Sequence, residues 1–340
     1  MNRRSVINRI LCNFWGDNFF TVSKLSGDAG TREYFRAFHG DRTVVLMDRQ
    51  EPYDSHADLF CRLTKYLSSY GFPVPQILLD ASQDGILILD DLGDQMLQNE
   101  YLRNPNETLN VCYDKVLDQL VRLHTLCQKE TAEHYSDIFL QRFDYAKLRW
   151  ELDFFLEYFV HRFKGLNLNS EQMATLDIHF DSMCRILEKE PLVFTHRDFH
   201  SRNIMIKDKE VFIIDYQDAR MGPPEYDLAS LLRDAYVKLP ETFIEEFLEN
   251  YYRETADKRD KFHRRYIFSL MCIQRNIKAL GTFGYQAAVR KNVYYLQYVP
   301  LLKQHLETEL SFLDGSGSGD DVFPLDPVVF KRVILHDILG

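Results

Sequence analysis

Several features that would assign a chain to a specialised class are missing from these 340 residues. No segment approaches the about 18 uninterrupted apolar residues of a membrane-spanning helix. The basic N-terminal stretch lacks the continuous apolar core that a signal peptide needs. The cysteines form no CxxC pair, so we expect neither a disulfide framework nor a zinc knuckle, and their scatter fits a reducing compartment. They are Cys12, Cys61, Cys112, Cys127, Cys184 and Cys272. We therefore predict a cytoplasmic protein with no membrane partner.

Positive charge is also in short supply. The chain has 41 Lys and Arg residues against 51 Asp and Glu residues, which gives a formal net charge of -10. A nucleic-acid partner would call for an excess of Lys and Arg, so we do not expect one. The hydrophobic share of 45% and the charged share of 27% are ordinary for a globular protein. A chain of this length is expected to fold as two lobes.

The first ninety residues are predicted to form short strands around one helix. The strand-like segments read FFTVSKL, EYFRAFHG and TVVLMD, and GILILDDLGD (85–94) is a further strand that runs into a polar turn. Apolar residues at helical spacing predict the helix within 55–70. Ser55 and Asp58 resemble a capping box at its start, and Gly71 is expected to end it.

From about residue 107 the apolar residues recur with a period of 3.6, which predicts a mostly helical region. We therefore expect an N-terminal domain over 1–91 and a helical domain over 92–313 that contains an inserted β-hairpin. The run DGSGSGDD (314–321) has the composition of a flexible linker, and the residues after it would form a short docked tail. Linker and tail together make up 314–340.

The hairpin, LVFTHRDFHSRNIMIKDKEVFIIDYQDA (192–219), concentrates the chemistry of the sequence. A polar cluster lies between two apolar runs, and the second run ends at Asp215. The cluster consists of His196, Asp198, His200 and Asn203. One interpretation makes these turn residues, because Asp and Asn favour turns, but that accounts for one acid rather than for the set.

A second interpretation takes His196 and His200 as a zinc-binding pair, as in HExxH sites. Such a pair needs a helix to bring both imidazoles to one face. The flanking segments LVFT and NIMI are strand-like, so a zinc pair is disfavoured.

A third interpretation is phosphoryl transfer. That chemistry needs a carboxylate to accept the proton of the attacking hydroxyl and oxygen ligands for the Mg²⁺ that bridges the nucleotide phosphates. The kinase pattern H-R-D-x-x-x-x-N supplies both, and HRDFHSRN places Asp198 and Asn203 at the matching positions. A second metal-binding acid should end the next strand, where VFIIDYQ places Asp215. The order and spacing of these residues favour this interpretation.

The segments HRDFHSRN, IIDYQDA and YDLASLLRD resemble the aminoglycoside phosphotransferase and choline kinase family. Within it, the order of motifs over roughly residues 20–312 is most similar to bacterial kinases that phosphorylate the anomeric hydroxyl of N-acetylmuramate and N-acetylglucosamine. The resemblance implies an α+β, protein-kinase-like two-lobed fold, ATP and Mg²⁺ as cofactors, and a role in cell-wall sugar recycling.

The resemblance also implies roles for particular residues. Asp198 would be the catalytic base, and Asn203 and Asp215 would bind Mg²⁺. The segment LDDLG (89–93), with Asp90 and Leu92, would be the hinge whose backbone binds adenine, and His196 would be structural. Asp227 would brace the catalytic loop, although a plain helix N-cap explains it equally well.

The sequence departs from the kinase pattern at one position. Where kinases carry a phosphate-binding Lys on the third strand, this chain has Met47, and the next helix offers only Asp58 as an acid. Arg32 and Arg36 are the remaining candidates to hold the phosphates, since guanidinium binds phosphate as a fork. Each could equally be a solvated strand arginine. The small residues of SGDAGT (26–31) would form the loop that covers the phosphates.

The acceptor is expected beside Asp198, where charges interrupt the apolar pattern of the surrounding helices. The candidate substrate-binding residues are Arg149, Arg233, Asp234, Arg275 and Lys278. Long charged side chains on helices often extend to water instead. Two other functions stay open at this point: a kinase of another small-molecule hydroxyl, such as that of an aminoglycoside or choline, and a nucleotide-binding pseudokinase that serves as a partner module.

Overall fold

The computed structural model describes residues 2–25, 32–126, 140–315 and 327–340. The chain forms two compact units. The first contains Met1–Glu100 and Asn203–Gln217, and the second contains Tyr101–Arg202 and Asp218–Gly340. The proposed phosphate loop at 26–31 and most of the proposed linker lie outside the described residues. The domain boundaries expected after residues 91 and 313 stay a prediction.

The first unit contains a five-stranded antiparallel sheet in the order β1-β2-β3-β5-β4. Its strands are β1 (Thr21–Lys24), β2 (Glu33–His39), β3 (Arg42–Asp48), β4 (Ile77–Ala81) and β5 (Ile86–Asp90). Residues at β2 and β3 pair in continuous register from Glu33↔Asp48 to His39↔Arg42. Side chains alternate between the two faces of such a ladder, so each face can be assigned from the register.

Helix α1 (Arg3–Trp15) covers one face of this sheet. Its buried side chains, Val6, Ile7, Ile10 and Leu11, share a core with residues of β2, β3 and β5. The expectation of a single helix in the first ninety residues was therefore wrong. The spacing of those four apolar residues, with Asn2 as the N-cap, is the sequence signal for this helix.

The second helix of the first unit, α2 (Leu59–Ser69), begins later than the expected capping box implies. Asp58 is the N-cap, and its side chain accepts the backbone N–H of Cys61 at 3.0 Å. The Ser55 hydroxyl donates to Asp80 at 2.5 Å instead, so the capping box was wrong. Gly71 follows the helix with a φ of 70°, a left-handed conformation that glycine adopts without strain, as expected.

The hairpin of β7 (Ile204–Lys207) and β8 (Glu210–Ile213) is part of the first unit, although it lies within the sequence of the expected helical domain. Hydrogen bonds explain this placement. The backbone N–H of Ile206 donates to the carbonyl of Gln95 at 2.7 Å, and that of Ile213 donates to Pro73 at 3.0 Å. The Lys207 ammonium donates to the Asp91 carbonyl at 2.7 Å.

The second unit is built mainly from helices. They are α3 (Leu97–Arg103), the short α4 (Pro105–Glu107), α5 (Tyr113–Leu126), α6 (Tyr145–Phe155), α7 (Ser170–Leu187), α8 (Glu225–Leu232), α9 (Glu241–Glu254), α10 (Lys261–Ala288), α11 (Val299–Gly315) and α12 (Pro327–Arg332). The first residues of α3 belong to the first unit. A two-stranded sheet joins β6 (Val193–Thr195) to β9 (Arg220–Gly222). Within the described residues, no helix is both long and apolar enough to cross a membrane.

Helix α10 runs through the interior of the second unit and packs closely against α6 and its π-helical continuation, Leu156–Phe163. Two glycines permit this approach. A Cβ atom on Gly281 would lie 2.9 Å from the Cα of Phe155, and one on Gly284 would lie 2.5 Å from the Cα of Phe159. Any larger residue would push the two helices apart.

The C-terminal segment packs on α7. Phe330 of α12 is buried, and its ring stacks on that of His179 with centroids 4.6 Å apart and planes 5° apart. The Gln172 side-chain amide donates to Asp337 at 2.8 Å, which holds the last residues on the same helix.

Candidate active site

Asp227 fixes the backbone that follows β6. Its carboxylate accepts the N–H of His196 at 2.7 Å and that of Arg197 at 2.9 Å. His124 Nε2 lies 3.1 Å from the Asp227 oxygen that accepts the His196 N–H, and Asp227 is fully buried. Asp227 lies in the first turn of α8, whose N-cap position is Pro224. Asp227 therefore holds the backbone of this loop, and the catalytic role of the loop stays a prediction.

The loop that Asp227 holds has a strained backbone at Arg197. Its φ of 79° lies in the left-handed region, which costs a non-glycine residue about 1 kcal/mol or more. Further along the loop, Asp234 accepts the N–H of Ser201 at 2.8 Å and is itself buried. Asp234, a candidate for substrate binding, therefore contacts the loop backbone, and two carboxylates fix the segment on either side of Asp198.

Two cations of α10 converge on one oxygen of Asp198. The Lys278 ammonium donates to Oδ1 at 2.9 Å, and the Arg275 guanidinium donates to the same oxygen at 3.3 Å. Burial opposes ionisation of the carboxyl, but the charges of Lys278, Arg197 and Arg275 outweigh it and hold the pKa of Asp198 well below its usual range. Asp198 is therefore ionised at neutral pH.

Burial lowers the pKa of two groups near Asp198, the Lys278 ammonium and the His200 imidazole. It lowers the pKa of Lys278 to about 8, although the Asp198 charge acts in the opposite direction. It lowers the pKa of His200 to about 3, so that imidazole is neutral at physiological pH. A serine holds the second cation, since the Arg275 Nε donates to the Ser230 hydroxyl at 2.9 Å. The site therefore contains one ionised acid and two nearby cations.

The two other predicted substrate-binding arginines contact acids elsewhere in the second unit. Arg149 pairs with Asp153 and Asp177 on the outer side of α6 and α7. Arg233 is fully buried, where it contacts Glu309 at 2.7 Å and holds Glu241 through two hydrogen bonds. These contacts stabilise helix packing, whereas the candidates Arg275 and Lys278 contact Asp198 directly.

Asn203 and Asp215 occupy the same end of the β7–β8 hairpin in the first unit. Ile204 pairs with Ile213, and the Asn203 carbonyl accepts the N–H of Ile214 at 3.0 Å, so Asp215 lies one residue beyond the partner of Asn203. Asp215 has a φ of 65°, and Gln217 donates to its Oδ1 at 2.6 Å. Mg²⁺ binds through one or two protein oxygens together with substrate phosphates, so this amide and carboxylate fit it. Among the described residues, no group of three His, Cys, Asp or Glu side chains could hold a metal.

The proposed hinge follows β5. The Asp90 carboxylate accepts the N–H of Gln76 at 2.6 Å, and the Leu92 side chain is buried. Arg36 is bound to this turn, because its guanidinium contacts Asp94 at 2.8 Å and Asp91 at 3.0 Å. The contacts of Arg36 are therefore those of a residue that stabilises the proposed hinge.

Arg32 lies elsewhere in the first unit. Its guanidinium lies over the ring of Phe60, 5.7 Å from the centroid. Phe60 stacks in turn on Tyr216, with centroids 5.5 Å apart, next to Asp215 in the chain. Arg32 also hydrogen-bonds to Tyr34, whose phenol is close enough to Asp215 to be influenced by its charge. Arg32 is therefore the predicted arginine nearer to the proposed metal ligands.

One contributor to the site was missed in the sequence. His124 of α5 joins Asp227 to the hydroxyl of Tyr251, which lies 2.7 Å from its Nδ1. These partners are separated from His124 by 103 and 127 residues, so no local pattern indicates them.

Proteins of similar sequence are phosphotransferases. The sequence profile described as "Phosphotransferase enzyme family" matches residues 21–262. A relative from Pseudomonas aeruginosa named N-acetylmuramate/N-acetylglucosamine kinase is 31% identical over 294 residues, which cover 84% of this chain and 82% of the relative.

Two solved structures share the fold at low sequence identity. Choline kinase from Cryptosporidium parvum superposes with a TM-score of 0.65 at 15% identity, covering 92% of this chain and 97% of that one. The ADP-bound aminoglycoside phosphotransferase APH(2'')-Ib superposes with a TM-score of 0.59 at 15% identity, covering 89% and 97%. The predicted α+β, protein-kinase-like fold and the predicted enzyme class are confirmed. This chain belongs to the phosphotransferase enzyme family and is a phosphotransferase that acts on a hydroxyl group.

Proposed function

We propose that this enzyme transfers the γ-phosphoryl group of ATP to the anomeric hydroxyl of an amino sugar of the N-acetylglucosamine or N-acetylmuramate type. The relative that is 31% identical over most of both chains is named for these two sugars, and this observation carries the choice of substrate. An ADP-bound structure among the fold neighbours supports ATP as the donor.

The charge state of Asp198 supports the anomeric position. A carboxylate whose pKa lies well below its usual value is a weak base. Lys278 and Arg275 lower the pKa of Asp198 in this way. The anomeric hydroxyl belongs to a hemiacetal and is more acidic than the ring alcohols, so it demands less of the base. Phosphoryl transfer leaves most of the catalysis to positioning and electrostatics in any case.

In this proposal Asp198 orients the acceptor hydroxyl and takes its proton. Asn203 and Asp215 would hold Mg²⁺, which when bound neutralises charge on the nucleotide phosphates. Asp90 and Leu92 contribute hinge backbone to adenine binding. The product is a sugar 1-phosphate, and we place the enzyme in the recycling of cell-wall sugars in the cytoplasm.

The test is a panel of acceptors scored by Mg²⁺-dependent ADP release. Free N-acetylglucosamine and N-acetylmuramate should turn over, and ³¹P NMR of the product should show phosphate coupled to the anomeric proton. The 1-O-methyl glycoside of N-acetylglucosamine is the matched control, because methylation removes only the proposed acceptor oxygen. It should bind weakly or inhibit.

Three results would contradict the proposal. A 6-phosphate product or good turnover of the methyl glycoside would assign the enzyme to another hydroxyl. Faster turnover of an aminoglycoside or of choline would replace the substrate class. Nucleotide binding with no turnover of any acceptor would favour the pseudokinase.

A further inference from the structure

The face of the sheet opposite α1 is where the kinase lysine is missing. Phe35, Ala37, Val44 and Leu46 contact the α1 core, so the alternate residues of β2 and β3 point to the other face. On that face Tyr34 pairs with Met47, and Met47 is fully buried. Met47 therefore fills the position with apolar volume and leaves the phosphate-binding charge to another residue.

Arg49 follows two residues after Met47, just beyond the end of β3. Its guanidinium forms an ion pair with Asp58, the N-cap residue of α2. It also lies over the ring of Tyr53, 4.4 Å from the centroid. The Arg49 side chain is 24% exposed and that of Asp58 is 7% exposed, so the pair is largely shielded from water without being closed off.

The arrangement of Arg49 and Asp58 parallels a known device. In protein kinases, the lysine of the third strand pairs with a glutamate of the following helix, and this ion pair must be in place for activity. Here the cation that directly follows the third strand pairs with the acid that caps the next helix. The residues differ in type and position, but a cation next to the third strand is again held by an acid at the following helix.

The surroundings of Arg49 contain other groups proposed to bind the nucleotide phosphates. Arg32 and Arg49 each adjoin the terminal pair of the β2–β3 ladder, Glu33↔Asp48, so they stand at the same end of two paired strands. The phenol of Tyr34, in the next pair, is close enough to be influenced by the charges of three groups, Arg32, Asp215 and Arg49. Two of these groups are guanidinium ions, which bind phosphate oxygens as a fork. The third is the proposed Mg²⁺ ligand.

We propose that the Arg49–Asp58 pair replaces the missing lysine–glutamate pair, with Arg49 binding the phosphates of a nucleoside di- or triphosphate and Asp58 positioning it. Asp58 keeps the guanidinium in one orientation, and its own orientation is fixed by the N–H of Cys61. Arg32, which directly precedes the neighbouring strand β2, supplies a second guanidinium. This inference rests on the proposed ATP-dependent function, but its test needs no acceptor sugar.

The test compares the binding of ADP and adenosine by isothermal titration calorimetry in the presence of Mg²⁺. Arg49→Ala should weaken ADP binding about 10- to 100-fold, the range for loss of one charge-assisted contact, and leave adenosine binding unchanged. Arg49→Lys should recover part of the loss. Arg9→Ala is the matched control, because Arg9 forms an exposed ion pair with Asp84 in the same unit.

Asp58→Asn separates positioning from helix capping, because asparagine is an equally good N-cap. It should weaken ADP binding less than Arg49→Ala, and the double variant should be no weaker than Arg49→Ala alone. If the pair only stabilises the fold, each Arg49 or Asp58 variant would have a lower melting temperature and an unchanged ratio of ADP to adenosine affinity. That unchanged ratio would overturn the inference. Wild-type ADP binding without turnover of any sugar would refute the proposed function and leave the inference standing.

Discussion

Lys278 Nζ and Asp198 Oδ1 lie 2.9 Å apart, so the proposed base forms a direct ion pair with a buried lysine of α10. Arg275 contacts the same oxygen from one turn earlier on that helix. The negative charge of Asp198 is therefore balanced within the helical unit itself, which determines how each of these residues should respond to substitution.

Lys278→Met should lower kcat for both proposed sugars by a similar factor, about 10²-fold or more, because it removes a cation in contact with the base. A lysine that binds the acceptor carboxylate would give a different result, with a raised KM for N-acetylmuramate and normal kinetics for neutral N-acetylglucosamine. Steady-state kinetics with the two sugars separates these cases. Lys261→Met is the control, since Lys261 at the start of α10 forms an exposed ion pair with Glu249.

The pH dependence should report Lys278 directly. Burial places its pKa at about 8, below the ordinary value of 10.5, so the ammonium loses its proton as pH rises through about 8. We expect kcat/KM to fall as the pH rises through about 8, because kcat/KM reports the titration of groups in the free enzyme. Lys278→Arg, which stays charged, should remove this alkaline limb even if its overall rate is lower. An identical limb in the arginine variant would assign it to another group.

Asp198→Asn should bind ATP almost normally and lose about 10²- to 10⁴-fold in turnover, because the amide cannot accept the proton of the hydroxyl. ADP affinity measured beside kcat separates the two effects. Turnover close to that of the wild type would remove Asp198 from the role of base.

Asp215→Ala should lose Mg²⁺-dependent nucleotide affinity as well as rate, since it removes a proposed metal ligand. The measurement is ADP binding as a function of Mg²⁺ concentration. Gln217→Ala is a useful companion, because it removes the hydrogen bond to the Asp215 carboxylate and leaves the carboxylate itself. An unchanged Mg²⁺ titration in the aspartate variant would refute the assignment.

Asp227→Asn should lower both stability and kcat, with little effect on KM. A hydrogen bond to a charged group contributes about 1.5–3 kcal/mol, and the amide can accept only one of the two loop N–H groups on its remaining oxygen. Thermal unfolding and steady-state kinetics measure the two effects. Glu254→Gln, an exposed acid on α9, should change neither. Full activity in the Asp227 variant would show that the loop holds its shape without the brace.

Local patterns in the sequence predicted the parts of this protein that depend on local physics. The long helices follow from the period of their apolar residues. The spacing of Asp198, Asn203 and Asp215 is a second local pattern, and the roles assigned to these residues stay a prediction. Contacts between distant residues were not predictable in this way. Ser55 and Asp58 fit a capping box, yet Ser55 bonds to Asp80 in a different strand. Arg233 interrupts an apolar helix much as Arg275 does, and only the fold gives it Glu309, 76 residues later, as a partner.

The contacts of the arginines were likewise not predictable from local patterns. Arg32 and Arg36 stand in one strand with equal claims on the phosphates as far as sequence shows. The fold directs Arg36 to the turn after β5 and Arg32 to Phe60 and Tyr34. No sequence pattern indicates the role of Arg49, because its ion pair with Asp58 spans a loop whose path the sequence does not specify.

The two glycines of α10 link the position of the proposed catalytic residues to the distance between two packed helices. Lys278 lies one turn before Gly281, so the depth at which α10 meets α6 also sets how far the ammonium extends toward Asp198. A methyl group at Gly281 or Gly284 would lie within 3.0 Å of the backbone of the facing helix, so α10 would have to move and would carry both cations with it. Substitutions that change no charge and contact no substrate would therefore lower the activity or alter the preference for the acceptor.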